Sequence, residues 1–438
     1  MRFHNQELQA LVPRGPYGEE ALSKLEEALG KHATLRFRPL PSGLFPASSA
    51  GQSIGVTGYD NVWVRDNVYV AYAHHLSGQT SVAARAARTL IEFFNRYRRR
   101  FEDIISGAVD PQDVSKRPQI RFRGMGGKGE PFPEEIPGQR WSHAQNDALG
   151  YFLWLYAQLA AEGNVALDEL ALSTLALFPR YFQAIRFWRD QDSGHWEEVR
   201  KISASSIGAV IAGLSALLLL ARKQPASFQN PPFGPDLLVT TESLLRRGRA
   251  SLHMILPHEC AQLAPAKNRR YDAALLFLLF PLDVVKGRMA DLLLHDLDRF
   301  LTGEFGIRRY LGDSYWAPDY DDRLPVEERT RDYSEDMETR DVLLQKIGDE
   351  AQWSIFDPVL SAYYGRRYLN SRSPSDLARQ TLHLNRALAQ ITPEWQCPEL
   401  YYLRHGQYVT NPHVPLQWTQ ANLLVALKAM RTTLTSRQ

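Results

Sequence analysis

The feature that most constrains the fold is a succession of about a dozen helical segments with almost no alternating strand pattern between them. Apolar residues recur in these segments at the 3.6-residue period of an α-helix. The predicted helices cover residues 19–32, 62–76, 81–98, 142–161, 167–188, 203–222, 236–255, 272–280, 282–300, 352–368, 374–390 and 416–430.

Several of these segments, 207–220 most clearly, are apolar on every side and must be covered on more than one face. A double ring of helices, with buried inner members and amphipathic outer members, satisfies this demand. No stretch is rich enough in Gly, Pro or Ser to separate two domains. The sequence therefore predicts an all-α fold in a single domain over residues 1–438.

Charge and apolar patterning exclude several classes of partner. The formal net charge is +2, so neither nucleic acid nor a membrane surface is an expected partner. We find no apolar run of the roughly 18 residues that span a bilayer, and residues 1–6 lack the apolar core of an export signal. A cytoplasmic location is expected by default, and no protein partner is indicated.

Long irregular segments interrupt the helices at residues 38–61, 101–140, 309–349 and 394–414. Loops of this length commonly carry function. Aromatic and acidic residues cluster at or near their ends, where the chain enters a helix. In a ring of helices these junctions would meet on one rim and form a pocket that suits a neutral, hydroxyl-rich ligand.

The most informative of these clusters is Trp196, Glu197 and Glu198. Burial against an indole disfavours the charged form of a carboxyl group and raises its pKa, which equips it for acid-catalysed cleavage of a glycosidic bond. Arg200 and Lys201 follow closely, and two nearby cations would lower the pKa of Glu197. The alternative interpretation is a turn whose acidic residues favour the dipole of the next helix.

A second cluster contains Trp63, Arg65 and Asp66. A carboxylate accepts hydrogen bonds from sugar hydroxyls, a guanidinium donates them, and an indole packs on the apolar face of a pyranose. The alternative is a helix start at which Asp66 is a first-turn acid and Arg65 is its structural partner.

Three further junctions repeat this combination of aromatic and polar side chains. They are Trp141 with Gln145 and Asp147; Arg309 with Tyr310, Asp313 and Tyr315; and Glu399 with Tyr401 and Trp418. Each alone could be a packed aromatic residue beside a helix cap. The recurrence of the pattern at five junctions favours a ligand pocket.

Other chemistries have less support. The chain has no zinc-protease motif and no nucleophile elbow, and the Gly-rich segment 124–129 lacks the closing Lys-Ser/Thr pair of a phosphate loop. Cys260 and Cys397 form neither a disulfide framework nor a zinc spacing. We therefore expect no metal and no cofactor.

The clusters, in this order, resemble glycoside hydrolase family 15, the glucoamylase family, and most closely the glucoamylase-like domain of phosphorylase kinase α and β subunits. The likeness covers roughly residues 30–430. It is carried by residues 42–48, 63–69, 141–148, 196–197, 204–208, 272–276, 309–315, 352–353 and 398–401.

This resemblance implies an (α/α)6 barrel with long functional loops on one rim. It also implies inverting hydrolysis that releases glucose from the non-reducing ends of α-glucans or malto-oligosaccharides, with Glu197 as general acid and Glu399 as general base. The residues it suggests for substrate binding are Trp63, Arg65, Asp66, Trp141, Gln145, Asp147, Trp196, Glu198, Arg309 and Tyr401. The likeness to phosphorylase kinase leaves open a regulatory protein that binds α-glucan with slow or absent turnover.

Overall fold

A computed structural model describes residues 1–48, 58–136 and 141–437, apart from the side chain of Lys128. Parts of the predicted loops 38–61 and 101–140 therefore lie outside the described residues. Within the described chain, six helical segments form an inner ring in which each packs on the next and the last packs on the first. These segments are Val64–Leu76, Asn146–Ala161, Ala204–Lys223, Ala273–Leu278, Phe356–Ser371 and Gln417–Thr435.

An outer layer of helices surrounds the inner ring. It consists of Glu19–Lys31, Thr80–Arg96, Leu177–Ala184, Gly234–Ile255, Gly287–Asp296 and Pro374–Ala389. Most of these pack directly on an inner helix, while Leu177–Ala184 packs on Gly234–Ile255 and on the short helices Arg99–Ile105 and Glu169–Leu175. Shorter helices occupy Gln6–Leu11, Arg99–Ile105, Glu169–Leu175, Tyr320–Arg323 and Met337–Leu343. The predicted all-α (α/α)6 barrel is confirmed.

Small residues allow two inner helices to approach closely. A Cβ atom added at Gly150 would lie 2.5 Å from the backbone of Ala209, and one added at Gly213 would lie 2.7 Å from the carbonyl oxygen of Gly150. The helices Asn146–Ala161 and Ala204–Lys223 therefore meet backbone to backbone, an approach that larger side chains would prevent.

The inner helix Ala204–Lys223 is long and apolar enough, by length and composition, to cross a membrane. The sequence prediction that no segment reaches that length is therefore wrong. Of its most apolar stretch, 83% is buried inside the protein. The apolar composition is thus explained by contact with neighbouring helices on several sides.

A four-stranded antiparallel sheet, absent from the sequence prediction, lies at the rim of the barrel. Its strands, in order, are Ile307–Arg308, Gln352–Trp353, Leu400–Arg404 and Gln407–Thr410. Two smaller antiparallel pairs join Val62–Trp63 to Arg121–Phe122 and Cys260–Ala261 to Asn268–Arg269. Strands of two residues are too short to show an alternating pattern, so the sequence gives no sign of them.

Some predicted helix bounds also differ from the structure. The segment 167–188 is two helices that meet at Ala176, because Pro179 cannot donate a backbone hydrogen bond to the carbonyl of Leu175. The inner-ring segment Ala273–Leu278 is a 3₁₀ helix, and Leu297–Leu301 is a π turn. Short 3₁₀ turns occur at Val114–Lys116, Gly127–Gly129, Gly194–Trp196, Pro225–Phe228, Pro265–Lys267 and Val326–Glu328.

Candidate active site

A cavity of about 1000 Å³, counting the part open to solvent, lies at the end of the barrel where the inner helices begin. We call it the rim cavity. Of the twelve predicted site residues, nine line it: Trp63, Arg65, Asp66, Trp141, Trp196, Glu197, Glu198, Arg309 and Glu399. The closed ring thus brings Glu197 and Glu399, far apart in sequence, to one cavity.

Glu197 follows a 3₁₀ turn and adopts a left-handed backbone conformation with φ 60°. Its side chain is 17% exposed, and its Oε1 accepts a hydrogen bond from Nη2 of Arg65 at 3.1 Å. Burial raises the pKa of Glu197 above its ordinary value, although Arg65 and Arg121 act in the opposite direction. The guanidinium of Arg121 lies over the rings of Trp63 and Trp141.

The cations that follow Glu197 in sequence are not among the groups with the largest effect on its pKa. Arg200 points to the surface and donates to Oε1 of Gln112 at 3.2 Å. Lys201 is buried, and its charge acts on Glu198 and Glu259. The net shift of the Glu197 pKa is upward, and the cations that oppose it most are Arg65 and Arg121, not the sequence neighbours Arg200 and Lys201.

Arg65 is held by a buried ion pair beneath Glu197. Its Nη1 donates to Oδ2 of Asp147 at 2.7 Å and to Oε1 of Gln145 at 3.3 Å. The side chains of Arg65 and Asp147 are 4% and 0% exposed. Gln145 and Asp147 do not line the rim cavity, so they position Arg65 rather than contact a ligand. Beside Arg65, burial raises the pKa of Asp66 to about 7.

Glu399 is 3% exposed and lies just before the third strand of the rim sheet. Its Oε1 accepts from the hydroxyl of Tyr59 at 2.8 Å, and its Oε2 accepts from Nδ2 of Asn411. Burial raises the pKa of Glu399 to about 7, against the effect of these two hydrogen bonds. Tyr59, which the sequence did not indicate, is thus a direct partner of the predicted base.

Glu198 belongs to a separate ionic cluster in the cavity wall. Its carboxylate accepts from Arg269 at 2.6 Å, from Arg309 at 2.9 Å and from the hydroxyl of Tyr310 at 2.8 Å. Burial opposes ionisation, but the two guanidinium groups hold the pKa of Glu198 well below its usual value. Glu198 therefore stays ionised and fixes Arg309, which Asp313 also binds at 2.7 Å.

Aromatic rings surround the guanidinium of Arg309. Trp196, Tyr315 and Trp353 each place a ring centroid within 5.4 Å of its central carbon. The indole of Trp196 is fixed by a hydrogen bond from Nε1 to Oδ1 of Asp272 at 2.9 Å. Such a wall combines hydrogen-bond donors with apolar faces, the two features that bind a pyranose.

Tyr401 lies outside the rim cavity. Its hydroxyl donates to the carbonyl of Gln390 at 2.7 Å, and its ring stacks on His4 with centroids 4.3 Å apart. The prediction that Tyr401 binds substrate does not agree with this position, which gives it a packing role.

The structure also adds residues that the sequence did not indicate. Five consecutive residues, Thr330 to Ser334, line the cavity. They belong to the long irregular segment 309–349, whose highly charged composition by itself suggests only a solvated loop. The backbone N–H of Val199 donates to Oγ of Ser334 at 2.7 Å, which ties this segment to the loop that carries Glu197.

One group with the spacing of metal ligands occurs in the described part of the chain, and it lies away from the cavity. It contains Asp319, Asp322 and His405. Asp322 already pairs with Arg404 at 2.9 Å and with His405 at 2.9 Å. These groups therefore satisfy one another on the surface.

The amino-acid sequence is similar to a known protein family and to a curated protein. Residues 32–372 match the family model of glycosyl hydrolases family 15. A probable phosphorylase b kinase regulatory subunit alpha of Drosophila melanogaster is 26% identical over 346 residues, which are 72% of this chain and 24% of that protein. The chain thus spans about a quarter of the length of this curated relative.

Solved structures share the fold at low identity. The wild-type form of a protein described as a glycosidase superposes with a TM-score of 0.66 at 18% identity, over 96% of this chain and 99% of that one. A bacterial glucoamylase complexed with acarbose gives a TM-score of 0.57 at 14% identity, over 90% and 53% of the two chains. With the family match spanning most of its length, the chain belongs to glycoside hydrolase family 15.

Proposed function

We propose that this protein is an inverting, exo-acting hydrolase that releases glucose from the non-reducing ends of α-glucans or malto-oligosaccharides. One observation carries the proposal: the partly buried Glu197 and the buried Glu399, on separate elements, both line one aromatic cavity. Burial raises the pKa of each, and each has its own hydrogen-bond partners. We propose that the whole chain forms one such domain and acts in the cytoplasm.

In this mechanism Glu197 donates its proton to the glycosidic oxygen while Glu399 removes a proton from a water molecule on the opposite face of the sugar. The water oxygen bonds to the anomeric carbon as the glycosidic bond breaks. Arg65, Asp66 and Arg309 would hold the hydroxyls of the terminal glucose. We propose that the cavity takes the end of a glucan chain rather than its interior.

The test is glucose release from maltotriose, compared between the wild type and Glu197→Gln. We expect steady release by the wild type only, and a rise in melting temperature with maltotriose in both proteins, since a ligand that binds the native state stabilises it. Equal stabilisation of both proteins with release by neither would overturn the proposal of hydrolysis.

That outcome would favour a second candidate, a regulatory protein that binds α-glucan without turnover. The observation behind this candidate is the 26% sequence identity with a protein named as a probable phosphorylase b kinase regulatory subunit alpha. In that case the rim cavity would sense glucan, and Glu197 and Glu399 would serve only as ligand contacts.

The pH dependence of hydrolysis is expected to follow the ionisation of Glu399. A general base must be ionised, and the pKa of Glu399 is about 7. We expect kcat/KM for maltotriose to fall as pH drops below about 7, because Glu399 gains a proton. A profile that stays flat down to about pH 5 would contradict this role, since an ordinary glutamate titrates near there.

Removal of the Tyr59 hydroxyl provides a sharper test of the same group. The hydroxyl donates to the ionised carboxylate, so Tyr59→Phe should raise the pKa of Glu399. We expect the acidic limb of the profile to move up by about 0.5–1 pH unit, the equivalent of one hydrogen bond. A downward shift would contradict the assignment.

Asp332 is expected to act on the leaving-group side of the cavity. It is exposed, whereas Arg65, Asp66 and Arg309 are buried, so it lies nearer the opening. Asp332→Asn should lower kcat/KM for maltotriose by about tenfold or more, the effect of losing a hydrogen bond to a charged group. It should leave α-glucosyl fluoride unaffected, because that substrate has no second sugar.

The matched control is Glu335→Gln. Glu335 is three residues further along, is 70% exposed and does not line the cavity. Equal losses of activity on both substrates in Asp332→Asn would show that Asp332 supports the fold of the site rather than the second sugar.

A further inference from the structure

A buried histidine lies in the loop that follows the rim sheet. This loop joins the strand Gln407–Thr410 to the inner helix Gln417–Thr435, and His413 lies in its middle. His413 is 1% exposed and does not line the rim cavity. It can therefore influence chemistry in that cavity only through a neighbour.

The neighbour is Tyr59, whose hydroxyl donates to Oε1 of Glu399 at 2.8 Å. The imidazole of His413 lies flat on the phenol ring of Tyr59, with ring centroids 3.6 Å apart and planes inclined by 1°. Trp316 meets the imidazole nearly at right angles, with centroids 6.2 Å apart. The imidazole thus packs against two aromatic rings, and one of them belongs to a direct partner of the predicted base.

The hydrogen-bonding capacity of His413 is not used within the described residues. Both ring nitrogens are buried and lack a hydrogen-bond partner there. Burial lowers the pKa of His413 to about 3, so the ring is uncharged at neutral pH. What it supplies to the phenol is therefore a flat, neutral surface.

Tyr59 depends on such support because no helix or strand fixes it. It lies in a turn, in which the backbone N–H of Asn61 donates to the carbonyl of Gly58. The ring of Trp63 contacts it at a tilt of 51°, with centroids 5.8 Å apart. The direction of the Tyr59 hydroxyl therefore depends on the plane in which His413 holds the phenol ring.

We propose that His413 is a positioning residue for the predicted base: its ring fixes the plane of Tyr59 and so aims the hydroxyl at Oε1 of Glu399. This inference rests on the proposed role of Glu399 as general base. Asn411, two residues before His413, donates to Oε2 of the same carboxylate. One loop thus acts on both hydrogen bonds that hold Glu399.

Loss of the His413 ring is expected to raise the pKa of Glu399. A phenol that can tilt away donates less effectively to the ionised carboxylate, which favours the protonated form. Further charged or titratable groups in the described chain also face this carboxylate: Arg309, Asp66 and Tyr315. None of them bonds to a ring nitrogen of His413, so the effect is expected to pass through the phenol.

The test compares variants at His413 that keep or lose the ring. His413→Leu fills a similar volume without a flat ring, whereas His413→Phe keeps one. We expect His413→Leu to move the acidic limb of the kcat/KM profile for maltotriose up by about 0.5–1 pH unit, as for Tyr59→Phe, and His413→Phe to leave it in place. His413→Gln is a second ring-free variant and should match His413→Leu. No shift in the ring-free variants, or an equal shift in His413→Phe, would overturn the proposal.

A double variant tests the route through Tyr59. Adding His413→Leu to Tyr59→Phe should give no further shift, because the hydroxyl that it would misdirect is already absent. The matched control is His32→Leu: the exposed His32 stacks on Trp395 with centroids 3.9 Å apart, and neither residue lines the rim cavity. Its loss should leave the limb in place. Additive shifts in the double variant, or an equal shift in the control, would overturn the proposal.

A thermal measurement detects the pKa of Glu399 without turnover. Each protein is melted beside the same protein carrying Glu399→Gln, between about pH 4 and about pH 9. Because the folded pKa lies above the unfolded one, the wild-type difference declines up to about pH 7 and then levels. His413→Leu should extend the decline to higher pH by about 0.5–1 unit. Failure of hydrolysis leaves this test intact, whereas an unchanged pH dependence in His413→Leu would overturn the inference.

Discussion

Replacing Glu399 with glutamine is expected to lower the rate of glucose release from maltotriose by about 10²–10⁴-fold, the usual contribution of a general base. Glutamine has nearly the same size and can still accept from the Tyr59 hydroxyl, but it cannot take a proton from water. Initial rates at saturating maltotriose measure the effect. The rise in melting temperature on adding maltotriose should persist, because the aromatic and arginine contacts remain.

The same substitution has a predictable effect on stability. The pKa of Glu399 is about 7 in the folded protein, so the folded state binds this proton more tightly than the unfolded state does. Wild-type stability therefore declines as pH rises from the ordinary glutamate range through about 7. Glu399→Gln lacks this decline and should melt higher than the wild type at about pH 8, with the advantage disappearing near pH 4.

These two results exclude simple misfolding as the cause of lost activity. Glu335→Gln, a change at a side chain that is 70% exposed and lines no cavity described above, is the matched control and should alter neither hydrolysis nor melting. Hydrolysis by Glu399→Gln within tenfold of the wild type would remove Glu399 from the mechanism.

Replacing Arg65 with methionine is expected to lower both stability and activity. Arg65 and Asp147 form a buried pair at 2.7 Å, and removing one partner leaves an uncompensated buried charge. Loss of one member of such a pair costs about 3–5 kcal/mol. The free energy of unfolding, measured by chemical denaturation, should fall by that amount. Activity should fall as well, because Glu197 loses its hydrogen bond from Arg65.

A second substitution separates the effect of the unpaired Asp147 charge from the effect of losing the Arg65 side chain. The double variant Arg65→Met with Asp147→Asn no longer buries an unpaired carboxylate, so it should recover part of the lost stability without recovering activity. Arg200→Gln is the control: Arg200 bonds Gln112 on the surface, and we expect its loss to change stability by less than about 0.5 kcal/mol. A double variant no more stable than Arg65→Met would contradict this account of the pair.

The barrel could be predicted because the apolar composition of its inner helices is compatible with few other folds. A helix that is apolar all round, such as Ala204–Lys223, must be enclosed, and a closed ring encloses several of them at once. The sequence prediction misses the rim sheet for two reasons: Ile307–Arg308 and Gln352–Trp353 have only two residues each, and the hairpin of Leu400–Arg404 and Gln407–Thr410 lies within a segment that it assigns to a loop. This sheet nevertheless sets Glu399, Trp353 and the segment before Arg309 side by side.

The directions in which individual side chains of the site point could not be predicted from the sequence. Arg200 and Lys201 are neighbours in sequence, but the bridge between Lys201 and Asp192 turns Lys201 inward and leaves Arg200 at the surface. Tyr401 follows Glu399 by two residues, yet its hydroxyl reaches the end of an outer helix at Gln390. Such directions depend on strand pairing, which distant residues determine.

The site residues that loops contribute could not be predicted from the sequence either. Tyr59 lies in a loop without helical or strand periodicity, and only the folded chain brings its hydroxyl within 2.8 Å of Glu399. Asp332 belongs to a run of charged residues whose composition is typical of a solvated loop. In both cases the residue type carries no local signal, and the contact arises from the closure of the barrel.

The central claim, inverting hydrolysis by Glu197 and Glu399, is tested most directly by the anomer that is released first. Proton NMR during the first minutes of maltotriose hydrolysis resolves the two anomers of glucose before they equilibrate. An inverting enzyme acting on an α-linkage releases β-glucose first, and α-glucose then accumulates only at the rate of spontaneous mutarotation. Initial release of α-glucose, or binding without any release, would contradict the account.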